Sequence, residues 1–204
     1  MGLRSPELLW EDKYGGVYPW ARNAMSRPSF RQHSAYVCYS DLQQQPKPGS
    51  PNFKRLYPVE YLITHFNKEW PSNWTVGEHV AVDESMILYK GKKIDFVQFM
   101  PAKPIKHGIK VYALCCSYTG YCFAYEIFEG KSEGVDNSPE AVVDRLLSHL
   151  GFEAEEEAGR TMFTDNWYTS PKLAAHIGTK YNMALIGTFR LTKKKSRDGS
   201  DFPY

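Results

Sequence analysis

The fold is decided by the stretch His79-Val80-Ala81-Val82-Asp83-Glu84-Ser85-Met86-Ile87-Leu88-Tyr89-Lys90-Gly91. Its branched, aliphatic and aromatic residues are strand formers and Gly91 ends the run, so the segment is predicted to be a β-strand. Two acids lie in the middle of this strand. A carboxylate inside an apolar strand is costly to bury, so it requires a cation, a metal ion or water at the strand's edge. A simple ion pair between Asp83 and a nearby Lys or Arg explains the pattern as well as a functional site does.

A second acid stands at the end of another predicted strand. The segment 161–171, Thr-Met-Phe-Thr-Asp-Asn-Trp-Tyr-Thr-Ser-Pro, is a short apolar strand that finishes at Asp165. A helix begins directly afterwards, because Ser170 can cap it and Pro171 suits its first position. Two strands that each deliver one Asp, with helices between and after them, form a layout typical of a two-metal site that cuts nucleic acid.

The other predicted elements complete an α/β pattern. Apolar residues at helical spacing predict a helix from near Pro58 to Trp70. Two further strands are predicted at 108–116 and 121–128, joined by a tight turn at 117–120. A helix capped at Ser138 follows, then the strand that ends at Asp165, a helix over 171–180 and a strand over 183–189. Three antiparallel strands followed by helix, strand, helix and strand predict a mixed sheet covered by helices.

Composition indicates a folded chain. The 204 residues include 14 Tyr, 11 Phe and 5 Trp, and the formal net charge is only +2. The sequence has no apolar run long enough to predict a membrane span and no secretory signal pattern, so no membrane partner is expected. The four cysteines form no CxxC pair with a matching histidine cluster, which makes a zinc site improbable.

An ordered series of segments resembles the piggyBac-type transposases and their domesticated derivatives. The resemblance extends from Trp10 to Arg190 and depends on the order, spacing and local chemistry of the whole set, since no single segment is specific. The segments are Val82-Asp83-Glu84-Ser85-Met86, Lys90-Gly91-Lys92, Met100-Pro101-Ala102-Lys103-Pro104-Ile105-Lys106-His107-Gly108-Ile109-Lys110, Thr164-Asp165-Asn166-Trp167-Tyr168-Thr169-Ser170 and Gly187-Thr188-Phe189-Arg190.

The resemblance implies a ribonuclease-H-like α/β core with a mixed sheet, which agrees with the element order. The core is expected to be incomplete and to follow a small helical segment. We expect the N-terminal helical segment at 1–77, with a mobile, proline-rich loop at 43–52. The transposase core is expected at 78–190 and a basic flexible tail at 191–204.

The resemblance also implies catalytic roles for the two acids. Asp83 corresponds to the first acid of the family and Asp165 to the second, and both are expected to be ligands of Mg²⁺. The family uses a third Asp on a later helix, and its members carry a cysteine-rich C-terminal domain. The later acids here, Asp198 and Asp201, lie in a polar stretch without a helical pattern and match no family position. The expectation is therefore an ancestral, partly lost Mg²⁺ site in a chain that alone does not cut or join DNA.

Basic residues cluster in three places. They follow the first strand at Lys90, Lys92 and Lys93, flank the second at 103–110, and form a dense run over 190–197. A solvated charged face that keeps the protein soluble explains such runs, and so does a surface that contacts DNA phosphates. The resemblance favours DNA, and the run also suits a nuclear import signal, so a nuclear protein is expected. The expected DNA-binding residues are Lys103, Lys106, Arg190, Lys193, Lys194 and Lys195.

Three functions follow from these observations. The first is a DNA-associated remnant of a piggyBac transposase without cut-and-paste activity by itself. The second is a fragment of an active DDD-type DNA transposase. The third is a non-catalytic interaction module that associates with full-length relatives. Homo- or hetero-association through an uncovered sheet face is expected, because an incomplete core leaves apolar surface exposed.

Overall fold

The computed structural model of the chain describes residues 9–10, 19–91, 94–130, 134–151 and 159–189. The chain divides into two compact units, residues 1–59 and 60–204. The predicted basic tail at 191–204 lies outside the described residues, and so do Arg190, Lys92 and Lys93.

The described residues of the first unit include two short α-helices. Helix α1 spans Pro19–Ala24 and α2 spans Arg27–Tyr36. The hydroxyl of Ser26 caps α2 by accepting a hydrogen bond from the Ser29 backbone N–H at 3.3 Å. The segment predicted as a mobile loop, 43–52, begins within a short 3₁₀ helix at Leu42–Gln44 and continues mainly as turns and irregular backbone. Its mobility stays a prediction.

The second unit is built on a six-stranded mixed sheet. The strands are β1 (His79–Leu88), β2 (Gln98–Phe99), β3 (His107–Cys116), β4 (Cys122–Ile127), β5 (Thr161–Thr164) and β6 (Ala184–Gly187). Their order is β2-β3-β1-β5-β6, and β4 also pairs with β3. The pairs that β3 forms with β1, β2 and β4 are antiparallel, whereas β5 is parallel to both β1 and β6. The predicted mixed α/β sheet of ribonuclease-H-like type is confirmed.

Where the structure describes this unit, it has three helices: α3 (Glu60–Ser72), α4 (Pro139–Ser148) and α5 (Pro171–Tyr181). The last two begin as their sequences dictate, because Ser138 and Ser170 cap backbone N–H groups three residues later and a proline follows each. Helix α5 ends at Asn182, whose φ of +50° is left-handed and suits an asparagine.

The sheet has one buried face. Side chains at paired positions across the strands form a row on one face of the sheet. The next row lies on the opposite face, so neighbouring rows can differ in burial. Along one row all side chains are buried or pack against the core, where they meet apolar residues of α4 and α5. That row consists of Leu185, Met162, Val80 and Cys116, paired across β6, β5, β1 and β3.

The division into two units falls one helix earlier than the domain boundary expected after residue 77. Helix α3 packs against β4, and Asn67 on this helix hydrogen-bonds to the backbone of Tyr125. The boundaries expected from the sequence stay a prediction. Within the described ranges, no helix has the length and apolar character needed to cross a membrane.

Candidate metal centre

Asp83 and Asp165 lie at the centre of the sheet, where β1 and β5 run side by side. The parallel register pairs Val82 with Thr164, so each acid is the next residue after the last pair. Strand β5 ends there, whereas β1 continues against β3. The two residues, 82 positions apart in the chain, therefore meet at the carboxyl end of a short parallel pair. The two acids that the resemblance assigned to one Mg²⁺ site thus lie close together, and their catalytic role stays a prediction.

A third carboxylate joins them. One ligand atom each from Asp83, Glu84 and Asp165 lies within 4.8 Å of the others. The side chain of Glu84 is only 9% exposed, whereas that of Asp83 is 63% exposed. Glu84 shares the core face of β1 with Val82, because side chains alternate along a strand. Sequence analysis did not select Glu84, although its place in that apolar row was a usable signal.

Lys103 is bound to the acids. Its ammonium group donates a hydrogen bond to the Glu84 backbone carbonyl at 3.1 Å. The same nitrogen is 3.4 Å from Glu84 Oε1 and 4.0 Å from Asp83 Oδ1. The ion pair that the sequence offered as an alternative explanation for Asp83 is thus present, and it is shorter at Glu84. Lys103 was selected as a DNA-binding residue, and that role stays a prediction.

A tight turn orients the carboxylate of Asp165. Its Oδ1 accepts hydrogen bonds from the backbone N–H groups of Trp167 at 2.9 Å and Tyr168 at 3.4 Å. The Thr169 hydroxyl donates to the Asp165 carbonyl at 2.6 Å and accepts from the Thr164 hydroxyl at 2.9 Å. These bonds fix the turn between β5 and α5, so the side chain is held before any ligand arrives.

Gly187 lets β6 approach this turn closely. A Cβ at this position would overlap Thr169 Oγ1 and would press on the carbonyl oxygen of Thr164. Any larger residue would therefore displace the hydroxyl pair that supports Asp165. The glycine opens the last of the segments that carried the family resemblance, and close packing against the turn is a physical reason for it.

Lys110 lies near the acid cluster, and aromatic rings surround its ammonium group. Its ammonium nitrogen is 4.8 Å from the ring centroid of Tyr112, 5.0 Å from that of Trp167 and 5.8 Å from that of Phe128. Burial lowers the pKa of Lys110 below its ordinary value, and the nearby charge of Glu84 opposes that shift. Trp167 is partly buried and packs against the core.

The cluster suits a hard divalent cation. All the donor atoms are carboxylate oxygens, the ligands that magnesium and manganese prefer. Glu84 Oε2 is buried and has no hydrogen-bond partner among the described residues. The Tyr168 hydroxyl is in the same condition, and burial together with the charge of Glu84 raises its pKa, so it stays protonated. Buried polar groups normally have partners, so an unsatisfied oxygen beside two other carboxylates indicates room for a ligand.

Of the remaining predicted DNA-binding residues, the structure describes only Lys106. Lys106 is exposed and precedes β3. Arg190, Lys193, Lys194 and Lys195 fall outside the described residues, so their predicted contacts stay predictions.

Comparison with known proteins agrees with this geometry. A family model described as Transposase IS4 matches residues 1–199. Among solved structures, the chain is similar to a piggyBac transposase in a synaptic complex with hairpin DNA, with 26% sequence identity and a TM-score of 0.70. The match covers 83% of this chain and 34% of the other, so the chain spans about a third of the length of that transposase. Structures of Mos1 transposase match at 14% identity with a TM-score of 0.33, over 91% of this chain and 59% of theirs.

Proposed function

Because the chain belongs to the piggyBac-type transposase family described as Transposase IS4, we propose that it is a DNA-associated protein that binds a divalent cation without cutting DNA by itself. The family is of the DDE type and normally uses a divalent metal. One observation carries the proposal: Asp83, Glu84 and Asp165 bring carboxylate oxygens within 4.8 Å of one another at the centre of the sheet.

The three carboxylates would hold the cation, and Mg²⁺ is the ion we propose. A divalent cation supplies charge stabilisation at a phosphate oxygen and lowers the pKa of a bound water. The protein's own groups supply the orientation. Backbone N–H groups hold Asp165 and Lys103 holds Glu84, so both carboxylates keep their positions without a ligand.

The charges of the cluster favour one cation over two. Three carboxylates and the ammonium groups of Lys103 and Lys110 leave a formal charge of minus one when both lysines are protonated. One divalent cation and one phosphodiester bring that balance to zero. A second divalent cation would leave two uncompensated positive charges in a partly buried site, which is costly. Strand cleavage by the two-metal route therefore lacks electrostatic support from the described residues.

We propose that the partner is DNA and that the protein acts in the nucleus. The support is the family membership, the basic residues Lys103 and Lys110 at the site, and the exposed Lys106. The similar structure of a piggyBac transposase is a synaptic complex with hairpin DNA. We also propose that Arg190, Lys193, Lys194 and Lys195 contact DNA phosphates.

Cation binding is tested by titrating the chain with Mn²⁺ and measuring water proton relaxation, followed by competition with Mg²⁺. Loss of a residue that only supports a metal ligand lowers metal affinity by roughly 10- to 100-fold. Asp83→Asn and Asp165→Asn each remove a ligand, so each should lower Mn²⁺ affinity by more than that. The exposed Glu78→Gln is the matched control and should bind as the wild type does. Equal binding by all four proteins would refute the site.

The absence of cutting is tested with end-labelled hairpin DNA incubated with the chain and Mg²⁺ or Mn²⁺. The expected result is retarded mobility of the DNA on native gels and intact DNA on denaturing gels. Cleavage that disappears in Asp83→Asn would instead establish the chain as an active DDD-type fragment. Absence of any retardation would contradict DNA association itself.

A further inference from the structure

Two lysines approach the acid cluster, and they are held in different ways. Lys103 donates a hydrogen bond to the Glu84 carbonyl and forms ion pairs with the carboxylates of Glu84 and Asp83. The ammonium group of Lys110 has no hydrogen bond or ion pair to any residue in the part of the chain that the structure describes. Three aromatic rings surround its ammonium group at 4.8 to 5.8 Å.

The aromatic rings fix the position of Lys110 without occupying its donors. A ring face attracts a cation through its quadrupole, but it accepts no conventional hydrogen bond. Lys110 extends from β3, where it pairs with Met86 of β1, and Tyr112 stands two residues later on the same face. Trp167 belongs to the turn that orients Asp165. The ammonium group is therefore held by the same turn and strands that hold the acids.

We propose that Lys110 is a phosphate-binding residue, whose ammonium group donates to a non-bridging oxygen of the DNA phosphodiester that occupies the metal centre. The inference rests on the proposed function and extends it by assigning the protein's own phosphate contact. An ammonium group that is fixed in position and has free N–H donors can bind an anion. Because it lies beside the carboxylates that would hold a divalent cation, both could bind the same phosphate group. The phosphate oxygen completes the hydrogen bonding of a half-buried cation.

Lys103 is the weaker candidate for this contact. Its donors already have acceptors on β1, and release from them would leave the buried carboxylate of Glu84 without its cation. Lys110 requires no such exchange. The structure thus separates a lysine that secures the acids from a lysine that is available to the substrate.

The test compares Lys110→Gln with wild type and with Lys68→Gln, which removes an exposed lysine of α3. Binding of a fluorescein-labelled DNA duplex is measured by fluorescence anisotropy over a range of KCl concentrations in Mn²⁺. Lys110→Gln should lose about tenfold in affinity, as expected for a hydrogen bond to a charged group. Its plot of log affinity against log salt should be shallower by about 0.9, the value for one phosphate contact. Lys68→Gln should match wild type in both.

A Mn²⁺ titration of the same proteins separates the two proposals. Lys110→Gln should bind Mn²⁺ at least as tightly as wild type, because it removes a positive charge near the ligands. If wild type binds DNA and Lys110→Gln shows the same affinity and salt slope, the phosphate contact is refuted while the proposed function stands. If wild type binds no DNA, both are refuted.

A second measurement does not depend on how the variant folds. Wild type is acetylated at its lysines with and without DNA, and the modified peptides are quantified by mass spectrometry. DNA should protect Lys110 several-fold and leave Lys68 unchanged. Equal acetylation of Lys110 in both samples would overturn the contact, whatever the variant shows.

Discussion

Glu84 is the residue whose removal best distinguishes a metal ligand from a structural ion pair. Its carboxylate is nearly buried, one oxygen lies 3.4 Å from Lys103 Nζ and the other has no partner among the described residues. Glu84→Gln keeps the shape of the side chain and removes its charge. We expect Mn²⁺ affinity to fall by about tenfold or more, measured by proton relaxation. Glu78→Gln is the control. If Glu84→Gln binds Mn²⁺ as tightly as wild type, Glu84 is not a metal ligand and only forms an ion pair with Lys103.

The acids show what a single sequence can predict about a site. The family resemblance implied that Asp83 and Asp165 share one metal site, and the parallel register of β1 and β5 brings them together. Glu84 was not predicted to be a ligand, because the resemblance assigns the first family acid to the neighbouring Asp83. Alternation along β1 places Glu84, and not Asp83, on the core face. The aromatic surroundings of Lys110 depend on residues up to 57 positions away, which no local pattern reveals.

Helix α3 is joined to the sheet through one buried amide. Asn67 is 4% exposed; its Nδ2 donates to the Tyr125 carbonyl at 2.8 Å and its Oδ1 accepts from the Tyr125 N–H at 2.9 Å. The side chain thus pairs with the edge of β4 as a neighbouring strand would. Asn67→Ala leaves both backbone groups without partners, so the free energy of unfolding should fall by about 2 to 4 kcal/mol. Urea unfolding measures it, with the exposed Asn73→Ala as control, and equal losses in the two variants would contradict the pairing.

Helices α4 and α5 are joined by Asp144. Its carboxylate accepts hydrogen bonds from His176 Nε2 at 2.8 Å, Lys180 Nζ at 2.9 Å and the Tyr181 hydroxyl at 3.0 Å. Burial raises the pKa of Asp144, but these three donors outweigh it and hold the pKa below its ordinary value of 3.8. The stabilisation is complete above about pH 5 and is lost as pH falls through 3.8 and below.

Unfolding measurements in urea at several pH values test this linkage. The free energy of unfolding of wild type should fall between about pH 5 and pH 3 more steeply than that of Asp144→Asn, because the variant lacks the carboxylate that must be protonated. Glu78→Gln should follow wild type. Parallel curves for wild type and Asp144→Asn would mean that Asp144 adds nothing to the acid sensitivity of the fold.

Element types were predicted better than the contacts between elements. Strong period-two and period-3.6 patterns predicted β1, β3, β4, α4 and α5 with bounds close to those observed. Strand β2 was missed because two residues, Gln98 and Phe99, carry no periodicity and pair only with the first residues of β3. The attachment of α3 was equally hidden, since Asn67 and Tyr125 are 58 positions apart.

At the scale of the whole molecule, one face of the sheet is incompletely covered by the described residues. The row next to the buried one consists of Ile186, Phe163, Ala81 and Cys115, paired across β6, β5, β1 and β3. None of these side chains is fully buried, and Ile186 is 54% exposed. Apolar residues at the edge of an open sheet favour association with another chain. If the predicted association through an uncovered sheet face takes place, we expect this row to be its site; the association itself stays a prediction.

Ile186→Lys is the variant that tests this association. Sedimentation velocity of wild type at micromolar concentrations should show a reversible dimer, because pairing along β6 or covering the row removes apolar surface from water. Lysine on an edge strand blocks both arrangements by its charge, so the variant should sediment as a monomer with an unchanged circular dichroism spectrum. Val135→Lys, at a residue that is 50% exposed in a loop, is the matched control and should dimerise as wild type does. A wild-type chain that stays monomeric and cooperatively folded throughout this range would show that the exposed row has no partner in a second copy.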